Sequence, residues 1–379
     1  MARPNPLLLG LILLAPTAWA DLVVEVEPKN RAVKDNIEAY IGPVEAQSPD
    51  ELRRLFEHAD KQATRAAQAL GYYHSSNYLA VSGSEQDPTL TIKVDLGTPV
   101  RINAIDIDIQ GEGRGTDAFT LSLPDGLAPG KRLNHDNYES IKSQISNRAL
   151  RYGYFSGQYL KHQLRVNPDA NQADIDIAYL TGERYKLGEV SYSETPFSKE
   201  LLDRFIPFKP GVPYDADLVG QFNQDLLSSG YFSGVQVIAP PDKATGGTIP
   251  VEVELTARDP NSLGFGGGFS TDVGVRTKAT WDQHWLNAQG HSRGASAELS
   301  APRQQISAFY QVPLDPPLTS NLRYFVGWQN EDIDNVETRS LAVGAELRKR
   351  LDNGWERTLG LRLQNEVFSL GDDSGTSNL

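Results

Sequence analysis

The chain has 379 residues, with 36 basic and 49 acidic side chains, a formal charge of −13 and no cysteine. Disulfides and thiolate metal sites are thereby excluded, and the acidic balance argues against a general nucleic-acid binder, which needs a basic face. The composition leaves a solvated acidic surface and cores held by packing alone.

Met1 to Ala20 carries one positive charge at Arg3, an apolar stretch from Leu7 to Leu14, and Ala18-Trp19-Ala20 ahead of Asp21. This is the layout of a cleavable secretory signal, residues 1–20. No later segment has the roughly 20 apolar residues a membrane helix needs, so membrane insertion is expected through strands.

A tripeptide of Gly and two aromatics then recurs at nearly constant spacing: Gly71-Tyr72-Tyr73, Gly153-Tyr154-Phe155 and Gly230-Tyr231-Phe232. A repeated unit is the reading, with each Gly capping a helix in the left-handed region and the aromatics starting the next element. In the first unit Ser48-Pro49-Asp50-Glu51 reads as a capping box, and Leu52, Leu55, Phe56, Ala59 and Ala66 give the helix that follows one apolar stripe. In the second and third units a Pro-Gly turn precedes Asn134-His135-Asp136 and Tyr214-Asp215, polar helix starts. Opening strands are expected at Leu22 to Val26, Val100 to Ile109 and Tyr185 to Tyr192. Closing strands alternate at Leu90 to Leu96, Ala173 to Tyr179 and Ile249 to Leu255.

The order in each unit is strand, helix, helix, strand, strand. That order, with the Gly-aromatic-aromatic mark after the second helix, resembles the POTRA domain, a periplasmic module of outer-membrane assembly and secretion proteins. The expected units are 21–97, 98–181 and 182–258.

From Arg258-Asp259-Pro260-Asn261 helical patterns cease. Seven alternating segments follow, through Leu263 to Phe269, Val275 to Trp281, Ala295 to Leu299, Ile306 to Val312, Leu322 to Trp328, Leu341 to Leu347 and Trp355 to Leu363. Apolar on one face and polar on the other, they carry the dyad pattern of a transmembrane β-barrel, although a soluble β-sandwich alternates too. Trp281, Trp285, Tyr310, Trp328, Trp355 and Phe368 are expected in an interfacial girdle.

Signal, three POTRA-like units and the glycine-rich Gly264-Phe265-Gly266-Gly267-Gly268-Phe269 together resemble the TamA branch of the Omp85 superfamily, with Trp285 to Gly290 similar to the turn after the opening hairpin. The fold class expected is α+β POTRA repeats (three, β-α-α-β-β) followed by the first seven or so strands of an antiparallel transmembrane β-barrel, sixteen-stranded in the family. Residues 259–379 would be the N-terminal part of that barrel, and the chain is expected to be C-terminally truncated.

The resemblance implies an outer-membrane location with periplasmic POTRA units, a TamB-like inner-membrane-anchored partner docking on the first unit, unfolded outer-membrane or autotransporter proteins as clients, and contact with outer-membrane lipid. A barrel whose first strand pairs poorly has a weak seam at which a client strand can add by β-augmentation. Gly264, Phe265, Gly266, Gly267, Gly268 and Phe269 are the candidate seam residues. Their glycines either ease unpairing or only make room for neighbouring side chains or a sharp bend. Alternatives from other classes are a two-partner-type secretion pore and a soluble periplasmic interaction scaffold.

His58, His74, His135, His162, His284 and His291 lack zinc-site spacing, and neither a Gly-x-Ser-x-Gly elbow nor a Walker A run is present. No enzyme, metal or cofactor is expected.

Overall fold

The computed structural model describes residues 21–43, 49–84, 87–271, 274–333, 336–351, 353–370 and 373–378. The secretory signal, Ser48 with the side chains of Glu51 and Leu52, and Asp272, Val273 and Asp372 lie outside what is described. The chain divides into two compact units, one within Met1–Ala149 and Ser156–Glu183, the other within Leu150–Phe155 and Arg184–Leu379.

In the first unit, β1 (Asp21–Glu27), α1 (Arg31–Ile41), α2 (Pro49–Ala69), β2 (Ser76–Ser84) and β3 (Asp87–Asp95) form one layer of helices on a sheet ordered β1-β3-β2. The central strand β3 pairs parallel to β1 and antiparallel to β2. Asn30 caps α1 by accepting from the Val33 amide. Helix α2 presents Ala59, Ala63, Ala66 and Ala67, all fully buried, against Val33 and Ile37 of α1 and Leu90, Ile92 and Val94 of β3. Small residues on one stripe let the two helices share a narrow core.

The next module departs from the expected two helices. After β4 (Arg101–Gln110) the chain makes only a 3₁₀ turn at Asp117–Phe119 before α3 (His135–Arg151), β5 (Gln158–Asn167) and β6 (Gln172–Leu180). Gly111, Gly113, Gly115, Pro124, Gly126 and Pro129 crowd the stretch where a first helix would form, and each disfavours helix. The sheet order is β4-β6-β5, the same crossover as before. Strand β6 alternates cleanly, burying Ala173, Ile175, Ile177 and Tyr179, while α3 buries Tyr138, Ile141 and Ile145.

In the second unit, β7 (Lys186–Tyr192), α4 (Lys199–Asp203), α5 (Ala216–Ser228), β8 (Phe232–Ile238) and β9 (Thr248–Ala257) repeat the plan with order β7-β9-β8. Asp215 caps α5 through the Asp217 amide at 2.9 Å. Phe222 and Leu226 of α5 pack with Leu187, Val251, Val253, Phe197 and Phe205.

An eight-stranded antiparallel sheet follows, one strand more than expected: β10 (Asn261–Ser270), β11 (Gly274–Gln283), β12 (Ser292–Ser300), β13 (Arg303–Pro313), β14 (Asn321–Ile333), β15 (Val336–Arg350), β16 (Glu356–Leu370) and β17 (Asp373–Asn378). The extra strand β17 has no apolar alternation; it is held by backbone pairing to Asn365–Leu370.

Register aligns the alternation across the sheet. Leu263, Trp281, Ala295, Ala308, Val326, Val343 and Leu363 are successive cross-strand partners, an apolar row over seven strands. One residue along the strands, on the other face, Gly264, Thr280, Ser296, Ser307, Gly327, Ala342 and Gln364 are partners in the same way. The apolar face is the open one: Phe265 is 83% exposed, Phe269 74% and Leu361 68%. A soluble sandwich buries its apolar face against a second sheet; this face meets no protein among the described residues, as a lipid-facing wall does.

Candidate functional site

All six glycine-rich candidates, Gly264, Phe265, Gly266, Gly267, Gly268 and Phe269, fall in β10, at one edge of the eight-stranded sheet. One side of β10 pairs with β11 from Asn261↔Gln283 to Ser270↔Gly274, and among the described residues no strand pairs with its other side. An unpaired row of backbone N–H and C=O groups is a template for another strand.

The glycines differ in what surrounds them. A Cβ at Gly266 would meet nothing within 4 Å, and one at Gly267 only the Arg276 carbonyl at 4.0 Å. At Gly264 and Gly268 the nearest atoms are side-chain ends, Thr280 Oγ1 at 2.6 Å and Arg276 Nε at 3.3 Å. Making room is the task of other glycines on this sheet: the rings of Phe309 and Phe325 lie where a Cβ of Gly294 and Gly344 would stand. Gly266 and Gly267 have no such neighbour, and glycine there costs a strand about 0.5–1 kcal/mol relative to Ala.

The base of β10 is tied to the preceding domain. The Arg258 amide donates to the Tyr231 carbonyl at 2.9 Å, and the Trp285 indole donates to the Arg258 carbonyl at 2.9 Å. The Tyr231 hydroxyl donates to the Gly290 carbonyl at 2.8 Å, and Gly290 has φ +73° with its Cβ position 2.6 Å from that hydroxyl. The Ser198 amide donates to the Ala288 carbonyl at 2.9 Å. Burial pushes the Tyr231 phenol up to about 12. Trp285 therefore sits against Phe197 at 5.4 Å and belongs to the β7–β9 core, not to an interfacial girdle.

Other aromatics also leave the expected belt. Phe368 lies on the polar face over Gly375, because its parity along β16 is opposite to that of Leu361 and Leu363. Trp328 sits mid-strand, paired with Ile306 and Leu341. Trp355 lies beside the start of β16, and Trp281 and Tyr310 lie within the last four residues of β11 and β13; Tyr310 bonds His291 Nδ1 at 2.6 Å.

The repeat signature turns out to build joints. Gly71, Gly153 and Gly230 have φ of +89°, +82° and +77°, the left-handed caps expected. In the first unit the Gly71 carbonyl accepts from the Val100 amide at 2.8 Å and the Val100 carbonyl from the Leu133 amide at 2.9 Å. In the second unit Gly153, Tyr185 and Tyr214 repeat the same relay at 2.9 and 2.8 Å. Tyr72 adds a hydroxyl that accepts from Arg132 at 2.9 Å. The aromatics enter a strand directly only at Phe232; β2 and β5 begin at Ser76 and Gln158. The partners Val100, Leu133, Tyr185 and Tyr214 were hidden in the sequence, marked only by their recurring place in each unit.

Among the described residues no group of three His, Cys, Asp or Glu side chains could hold a metal ion, and no described helix is long and apolar enough to cross a membrane.

Residues 23–96 match the family described as POTRA domain TamA domain 1, and residues 185–258 match POTRA, described as surface antigen variable number repeat. Among solved structures, the chain is similar to BamA from Haemophilus ducreyi lacking POTRA domains 1–3, with a TM-score of 0.59 at 16% identity over 71% of this chain and 51% of that one. BamA POTRA3–5 from Haemophilus influenzae (TM-score 0.37, 14% identity, 64% and 99% covered) and CdiB from Acinetobacter baumannii (TM-score 0.41, 14% identity, 73% and 56% covered) are more distant and carry no weight for the fold. The chain spans about half the length of the BamA structure it resembles. It is built of POTRA domains followed by an eight-stranded antiparallel sheet that matches part of a BamA-like barrel.

Proposed function

We propose that this protein is an outer-membrane assembly and translocation factor of the Omp85 superfamily, in its TamA branch, that accepts a client β-strand at the free edge of β10. The observation that carries the reading is the combination in one strand of an edge with no partner among the described residues, four glycines and exposed Phe265 and Phe269 next to a continuous apolar wall. A strand with few side-chain pairings binds its neighbour through backbone hydrogen bonds alone, so a client strand competes on nearly equal terms. POTRA domains ahead of the sheet support a Gram-negative outer-membrane location with those domains in the periplasm. A TamB-like inner-membrane-anchored partner would dock on the first POTRA domain, within residues 23–96. Clients would be barrel or autotransporter proteins.

The test is loss of the gene in its host, followed by protease accessibility and heat-modifiability of outer-membrane β-proteins. Unassembled clients, restored by the wild-type gene but not by one with Gly266 and Gly267 replaced by Val, are expected. Normal client assembly with loss of a single secreted protein from the medium would point instead to a two-partner secretion pore and overturn the proposal.

A further inference from the structure

On the polar face of the sheet, Gly266 lies opposite Lys278 and Gly268 opposite Arg276, so two bare positions of the edge strand stand beside two cations of β11. Together with Gly267, Thr277 and Glu298 these residues line an open cleft of about 300 Å³. Both cations are exposed, and neither makes an ion pair or side-chain hydrogen bond among the described residues, although Glu298 is the cross-strand partner of Lys278 on β12. Arg276 already leans across the edge strand: its Nε and Cγ lie 3.3 and 3.7 Å from where a Cβ of residue 268 would be.

Strands in a sheet lie about 4.8 Å apart, so a strand added to β10 would stand roughly 10 Å from β11. A Lys or Arg side chain reaches most of that distance only if the strand between carries no side chain on the same face. Gly266 and Gly268 meet that condition at the two registers where the cations stand.

We infer that Arg276 and Lys278 are specificity-determining residues for the incoming strand, pairing across Gly266 and Gly268 with two carboxylates at alternate, inward-facing positions of an extended peptide. This rests on the strand-addition reading of β10 and adds to it a preference by charge. The wall facing lipid recognises apolar residues in general; the cation pair selects among strands that satisfy it equally. The glycines then serve two ends, weakening side-chain pairing and clearing the path for long-range charge recognition.

The chain has no cysteine, so a Phe265→Cys variant in detergent micelles offers one attachment point on the apolar face. Synthetic peptides of about ten alternating residues, the length of a membrane strand, would carry a central cysteine on one face and, on the other, two Asp, two Asn or two Lys at alternate positions. Capture by a short bismaleimide linker is the readout. The Asp peptide is expected to be captured at roughly tenfold lower concentration than the Asn peptide at low salt, with the advantage shrinking as salt screens the pairs. An Arg276→Glu, Lys278→Glu double variant should reverse the order in favour of the Lys peptide, which also shows that the variant is folded. Equal capture of all three peptides would overturn the charge inference while leaving strand addition standing. Failure to capture any peptide at residue 265 would overturn both.

Discussion

Replacing Tyr231 by Phe isolates the hydroxyl that ties the β7–β9 domain to the turn after β11. The ring keeps its contacts with Phe197 at 4.9 Å and Phe205 at 6.4 Å, so the loss is the buried 2.8 Å bond to the Gly290 carbonyl, about 1–2 kcal/mol. Gly290→Ala attacks the same contact from the other side. An alanine at φ +73° costs about 1–2 kcal/mol, and its methyl would stand 2.6 Å from the Tyr231 hydroxyl and 2.8 Å from Leu201 Cδ2, which adds about 1–3 kcal/mol of overpacking. Removing the hydroxyl relieves one of those clashes, so the double variant should fall short of additivity by about 1 kcal/mol. Urea unfolding in micelles, read by Trp285 fluorescence with the other tryptophans replaced by Phe, measures each corner of the cycle. The same hydroxyl predicts a pH effect. The folded phenol titrates at about 12 against about 10 in the unfolded chain, so its contribution is complete below pH 10 and is lost as pH rises through 12, up to about 2–3 kcal/mol. Tyr231→Phe should flatten that alkaline decline in part, since burial raises Tyr192 and Tyr214 as well. Strictly additive substitutions, or an unchanged alkaline slope, would refute the latch.

Gly71→Ala should destabilise the first unit by about 2–4 kcal/mol, because the residue has φ +89° and its Cβ would stand 2.5 Å from the Leu133 carbonyl; a thermal melt by circular dichroism measures the drop. Val326→Arg, in the middle of the apolar row, should lower the stability of the sheet in lipid vesicles by about 2–4 kcal/mol. The same change at Gly327, on the polar face, should cost much less, and equal costs at the two positions would mean that the apolar face does not meet lipid.

The repeat was legible because its two loudest marks are local. A left-handed glycine after a helix and a short alternating strand each depend on neighbours within a few residues, and the three glycines sit at positive φ as the tripeptide predicts. The period-2 pattern of the tail likewise fixes which face each residue takes, so Leu263 and Leu363, six strands apart, can be put on one face from sequence alone. What a side chain meets on its face is decided at long range. Trp285 looks like any interfacial tryptophan until Phe197 and the Arg258 carbonyl close around it. The missing helix of the second module was legible in principle, since Gly111 to Pro129 holds six helix-breaking residues, but the repeat pattern outweighed them. Strand β17, with the sequence Asp-Ser-Gly-Thr-Ser-Asn, gives no pattern to read; it is held by backbone pairing to Asn365–Leu370 of β16, on the side away from β15.

On the proposed strand-addition reading, β10 has to meet two separate demands. It must stay in place, and the base does this: His284 donates its amide to the Pro260 carbonyl at 2.8 Å, Trp281 donates to Asn261 at 3.1 Å, and the Tyr231 and Trp285 bonds fix Arg258 and the turn beside it. It must also tolerate partners of different sequence, and for this register has to be loose. Register is set by side chains that fit one face at one offset, and a strand with glycine at four of its ten positions specifies few of them. Slip by two residues keeps a newcomer's apolar side chains on the lipid side, while slip by one turns them inward. The apolar wall would thus enforce the parity of an added strand, and the glycines would leave its offset free. On the same reading, a strand rich in Val and Ile at 264 to 268 would bind one partner tightly and release it slowly, and the glycines would trade that affinity for turnover.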